Sequence, residues 1–133
     1  PLRMERVHQS GLTLAGKLSA HPSVKRVYHP GLQPHPQSHL SGYGGLFSFE
    51  TEDSLDIPTF CNALNFFKLG VSWGGHESLV MPAEMSINQA GSHSAAVDFG
   101  VSARLVRLYV GLEEASDLWN DLEPAFEAAS PHE

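Results

Sequence analysis

Residues 104–113 read RLVRLYVGLE, and the alternation in residues 105–110 sets the fold class. Side chains of a strand point to opposite faces in turn, so Val106, Leu108 and Val110 share one face. Leu105, Arg107 and Tyr109 share the other. The first face is wholly apolar and is expected to lie on a core. The second carries a guanidinium between two apolar neighbours. A covered guanidinium needs a counter-anion, because an unpaired buried charge is costly. Arginine also grips a carboxylate through two parallel hydrogen bonds. Two readings fit this pattern: an anion site at Arg107, or an edge strand whose arginine reaches out to water.

A second stretch, residues 71–79, reads VSWGGHESL. Gly74 and Gly75 allow positive φ and close approach of another group. Successive backbone N–H groups at such a turn form a concavity for anions. Ser72 adds a hydroxyl and Trp73 a flat wall. The plainer reading is a loop turn with a tryptophan in the core. Residues 68–70 lead into this stretch, expected as a strand and turn that Met81-Pro82 breaks.

Working outward, residues 2–20 form an expected helix with Met4, Val7, Gly11, Leu14, Ala15 and Leu18 on one face. Nothing caps its start, which suggests a segment upstream, and His21-Pro22 ends it. Residues 24–28 are an expected short strand. Residues 33–41 form a loop rich in Pro, His and Ser. Within it His35 and His39 stand four apart; joined by His29 they would make a metal set, but Pro34 and Pro36 oppose a helix there. The glycines at 42, 44 and 45 precede an expected strand at 46–50 and lack the Gly-Lys-Ser/Thr ending of a phosphate loop. A helix is expected at 57–67, capped by Ser54 or Asp56 with Pro58 in its first turn. Residues 82–88 suit a helical turn and 89–96 a mobile polar loop, with 97–101 leading into the arginine strand. The last helix runs to residue 129, with Ala115, Leu118, Trp119, Leu122, Ala125 and Phe126 inward and an acidic, solvated outer face. Pro124 should kink or loosen it. The fold class that results is α+β: a small, mainly antiparallel sheet with helices packed on one side.

At 133 residues the chain suits one domain with a true core. No apolar run is long enough to span a membrane, and the charged N-terminus does not read as a signal peptide. A net charge of −7 with only eight Lys plus Arg argues against a nucleic-acid surface. The single cysteine, Cys61, excludes an internal disulfide and suits a reducing compartment. Its neighbours Phe60 and Ala63 favour a place in the core over a nucleophilic role.

The two stretches, SWGGHESL and then RLVRLYVGLE, resemble the end of the Cys/Met-metabolism family of pyridoxal-phosphate enzymes. The upstream segments around His21-Pro22, Val24, Pro30-Gly31-Leu32 and residues 44–49 are similar to that family as well. Trp73 and the ring at Tyr109, where many members carry serine, resemble the cystathionine β-lyase branch most. The likeness implies that residues 1–133 correspond to the C-terminal, smaller domain of a larger enzyme, without the cofactor domain. It implies pyridoxal 5'-phosphate as cofactor of the whole enzyme, held as an imine by a lysine of the other domain. Lys17, Lys25 and Lys68 lack the Ser-x-Thr-Lys-type setting of that lysine. The resemblance also implies roles here: Arg107 for the α-carboxylate of a sulfur amino acid, with Ser72 and the Trp73 backbone beside it. No catalytic residue, cofactor contact or metal ligand is then expected in this chain, which would be inactive alone. A cytoplasmic homotetrameric carbon–sulfur lyase is the implied whole. The alternative is a stand-alone binding or assembly module that pairs with another chain.

Overall fold

The computed structural model describes residues 1–33, 39–90 and 95–131. In chain order the elements are α1 (Leu2–Ser19), β1 (Val24–Tyr28), β2 (Leu46–Thr51), α2 (Ile57–Ala63), β3 (Lys68–Leu69) and β4 (Leu79–Pro82). They continue with α3 (Ala83–Ala90), α4 (Ala95–Asp98), β5 (Leu105–Tyr109) and α5 (Ala115–Ala129). The strands make one sheet in the order β1-β2-β5-β4-β3, antiparallel except for the short β3–β4 pair. The α+β expectation thus holds, with a mixed edge.

The register carries the alternation across the sheet. Phe49 lies opposite Val106 and Phe47 opposite Leu108, with Val80 beside Leu108 on the other flank. Val106, Leu108, Val110, Phe49 and Val80 are all fully buried. Against them pack Leu14 and Leu18 of α1, Phe60 of α2, and Leu118, Leu122 and Phe126 of α5. Phe49, Phe60 and Phe126 form a triangle of rings with centroids 4.6–6.1 Å apart. Each buried ring contributes about 1.5–3 kcal/mol of transfer free energy, and each favourable ring pair about 1 kcal/mol more. The other face of β5 and β2, with Leu46, Ser48, Glu50, Leu105 and Arg107, stays partly open to solvent.

Several local expectations are corrected. Residues 71–78 are not strand; the strand starts at Leu79 and contains Met81 and Pro82 rather than ending before them. Pro82 closes it, so the missing N–H disturbs little of the ladder. The helix expected at 57–67 stops at Ala63, because the chain turns extended at Leu64. Phe67 is nevertheless buried, beyond the helix end. Asp56 stands at the N-cap without capping the backbone; its carboxylate accepts from the Thr59 hydroxyl instead. Residues 95–98 are a helical turn rather than an extended lead-in. Helix α5 runs unbroken through Pro124. Met4 is exposed, off the buried stripe of α1.

The acidic outer face of α5 has one exception. Asp121 is buried and its carboxylate accepts backbone N–H bonds from Asn65, Phe66 and Phe67 at 2.7–3.2 Å. It holds the turn between α2 and β3, a bond network that a buried carboxylate requires. Cys61 is buried and free, and burial pushes its thiol up to about 11, so it is a core residue and not a thiolate. His35 lies outside the described residues, as do residues 91–94 of the 89–96 segment, whose described ends belong to α3 and α4.

Candidate functional site

Strands β3 and β4 are parallel neighbours joined by only residues 70–78. A parallel connection must carry the chain back along the strand, and is usually a dozen residues or more with a helix. Here the return is a bare loop, and several of its backbone groups are held by β5 and the residues just after it. The attachments run in step. Arg107 donates from one terminal nitrogen to the carbonyls of Val71 at 2.8 Å and Gly70 at 3.3 Å. The Tyr109 hydroxyl donates to the Gly75 carbonyl at 2.9 Å. The Leu112 N–H donates to the His76 carbonyl at 2.8 Å. Glu113 accepts from both the N–H and the hydroxyl of Ser78, at 2.9 and 2.8 Å. The Ser78 hydroxyl oxygen in turn accepts the Gly111 N–H at 2.9 Å.

The last contact leaves no room for a side chain at Gly111. A Cβ there would lie 2.1 Å from the His76 carbonyl oxygen. The Gly-Leu-Glu end of RLVRLYVGLE is therefore a latch: the glycine admits the loop and Glu113 locks it at buried Ser78. Sequence reading had assigned no role to Ser78, Gly111 or Glu113. A signal existed, since a serine and an acidic residue close the two stretches, but the pairing needs a contact across 35 residues.

The predicted site residues can now be placed. Arg107 is half-buried on the open face, opposite Ser48 on one side and Met81 on the other. Among the described residues its bonds come from a single terminal nitrogen, so the rest of the fork is free to receive a two-oxygen anion. Ser72 directly follows the carbonyl that Arg107 holds; it is exposed and makes no hydrogen bond to Arg107 among the described residues. Trp73 is not a core residue: it is 61% exposed. With Met4, Leu46 and Tyr109 it lines an apolar slot of about 120 Å³ at the end of α1. Gly74 has φ +89, the left-handed conformation that turns the loop. The structure thus brings all three predicted residues to one loop over one strand.

Arg104, three residues earlier, does different work. It donates to the carbonyls of Glu52 and Leu55 at 2.6 and 2.5 Å and ties down the turn after β2. The three lysines are exposed, and Lys17 lies over the Trp119 ring on the helical side. None of them is brought to Arg107 by a described contact. Among the described residues no three His, Cys, Asp or Glu side chains converge as a metal set. No helix among them is long and apolar enough to cross a membrane.

Known proteins are similar to this chain in both sequence and fold. The family model for Cys/Met metabolism PLP-dependent enzymes matches residues 1–127. Cystathionine gamma-lyase of Sus scrofa is 39% identical over 137 residues, covering 98% of this chain and 34% of its own length. Cystathionine beta-lyase MetC of Escherichia coli is 37% identical over 134 residues, covering 94% and 33%. A solved cystathionine gamma-lyase from Lactobacillus plantarum, complexed with L-serine, superposes with a TM-score of 0.82 at 29% identity over 96% of this chain and 35% of that one. The γ- and β-lyases lie within two percentage points, so overall likeness does not single out the β-lyase branch. This chain spans about a third of the length of these relatives, and it belongs to the Cys/Met-metabolism family of pyridoxal-phosphate-dependent enzymes.

Proposed function

We propose that these 133 residues are the C-terminal, substrate-carboxylate-binding domain of a pyridoxal-phosphate-dependent carbon–sulfur lyase acting on cystathionine or a related sulfur amino acid. The observation that carries the reading is Arg107. Its guanidinium is fixed by the Val71 and Gly70 carbonyls, and among the described residues its remaining N–H groups have no partner beside the exposed loop. That is the arrangement a bidentate carboxylate clamp needs, since a fork held in place loses little freedom when it binds. A Lactobacillus plantarum relative solved with L-serine, an amino acid, fits the same reading.

In the whole enzyme the cofactor supplies the electron sink for breaking bonds at the substrate's α-carbon. Arg107 contributes orientation: gripping the carboxylate at two points fixes the rotation of the α-carbon. Ser72 and the Trp73 backbone line the space next to that carboxylate. The lysine that attaches the cofactor lies outside these residues on this reading, because Lys17, Lys25 and Lys68 are exposed and stand in no described contact with the site. The chain alone would then be inactive, and the whole enzyme a cytoplasmic homotetramer of the β-lyase type.

The test is made in the complete enzyme. Arg107→Ala should lower kcat/KM about 100- to 1,000-fold, the loss of two charge-assisted hydrogen bonds. Arg107→Lys should recover little, because a point charge does not replace the fork. Unchanged kinetics in Arg107→Ala would remove the carboxylate assignment.

A further inference from the structure

The loop is anchored to the open face of β5 at Arg107 and at Tyr109, and the spacing of the anchors has a geometric consequence. Residues two apart on a strand are roughly 7 Å apart. They hold the carbonyls of Val71 and Gly75, which are four residues apart and could span roughly 13 Å if extended. Residues 72–74 thus form an arch between the two side-chain tips, and Gly74 takes positive φ within it. The arch carries Ser72 and Trp73, and its first carbonyl is the one that holds Arg107. Its far end is held at the Gly75 carbonyl by the Tyr109 hydroxyl.

Three features make that bond a built one. Tyr109 is only 4% exposed although it lies on the open face, so its ring is covered by the loop it holds. Burial pushes its phenol above the ordinary range; Arg3 opposes the shift and Glu77 and Glu113 add to it, so the hydroxyl stays protonated and donates at neutral pH. The Arg3 guanidinium donates to the adjoining Gly74 carbonyl at 3.3 Å, a second, weaker tie from α1 to the same bend.

We infer that Tyr109 is a positioning residue for the carboxylate site: its hydroxyl, through the Gly75 carbonyl, sets the arch of residues 72–74 and so the place of Ser72 and of the Arg107 fork. This rests on the carboxylate reading of Arg107. It adds that this site is tuned by a tyrosine from the same strand face, and that removing one oxygen outside the clamp should weaken the clamp.

Tyr109→Phe in the complete, cofactor-loaded enzyme isolates the hydroxyl and keeps the ring that fills the slot. KM for cystathionine should rise about 3- to 10-fold with kcat little changed, the effect of one net hydrogen bond on binding. The Kd for glycine, an unreactive amino acid bearing the same carboxylate, should rise by the same factor in titration calorimetry. Arg3→Ala should produce the same split at smaller amplitude. A lowered melting temperature with KM and Kd unmoved would reduce Tyr109 to a structural bond and overturn the inference. The two readings separate cleanly. If Arg107→Ala weakens glycine binding and Tyr109→Phe does not, only the positioning role fails; if neither does, the clamp itself fails.

Discussion

The two faces of β5 obey different rules. Val106, Leu108 and Val110 are fully buried and touch the phenylalanine triangle through dispersion and exclusion of water alone. On the other face Arg107 and Tyr109 spend their polar atoms on three loop carbonyls, those of Gly70, Val71 and Gly75. The apolar face is interchangeable chemistry at fixed volume. The polar face is specific chemistry at fixed positions, and it works only because the first face holds the strand still. The comparison teaches where a substitution should register: as lost stability on one side, and as lost substrate binding on the other.

The largest expected effect breaks the packed side. Phe49→Ala empties a site fully buried between Phe60 and Phe126 and should cost about 3–5 kcal/mol in denaturant unfolding. The residual folded enzyme should keep its KM; a raised KM would show that the faces are not separable. Next comes the latch at their border. Ser78→Ala leaves the Gly111 N–H and one oxygen of the Glu113 carboxylate without their partner and should cost about 1–3 kcal/mol. Hydrogen exchange should then rise in residues 72–78 before it rises in the sheet, and uniform exchange would contradict a local latch.

The smallest effect sharpens the comparison with pH. His29 and His21 both lie on the helical side and both have pKa values lowered from 6.5. For His29 burial is the main cause and His8 adds to it; for His21 burial outweighs the opposing charge of Glu123. A lowered histidine pKa means that the unfolded chain binds the proton more readily, so stability is full above about pH 6.5 and falls as the pH drops through the folded values. The melting temperature should decline from pH 7 to pH 5 by less than either substitution lowers it. A flat profile over that window would count against buried neutral imidazoles. The His29 ring accepts the Gly31 N–H at Nδ1, which leaves its proton on the buried Nε2 without a partner among the described residues.

Much of this was legible beforehand. The two-residue period of residues 105–110 named both faces of β5, and the stripes of α1 and α5 named the helical wall of the core. The resemblance of SWGGHESL and RLVRLYVGLE named the family, and it offered Arg107, Ser72 and Trp73 as the site residues now proposed. What was misread shares one cause. Residues 71–78 looked like strand and turn, and Trp73 like a core residue, because local pattern cannot show that the chain must return from one parallel strand to the next. Asp121 looked like surface because its three backbone partners lie more than fifty residues away.

The sequence by itself determined the apolar face of β5 and the main apolar stripes of α1 and α5, since periodicity is a property of neighbours along the chain. The tertiary structure alone decided that residues 70–78 lie on β5 in step with residues 107–113. Hydrogen bonds between a loop carbonyl and a distant side chain leave no period in the sequence. They follow only when the packed face has fixed where both ends must be.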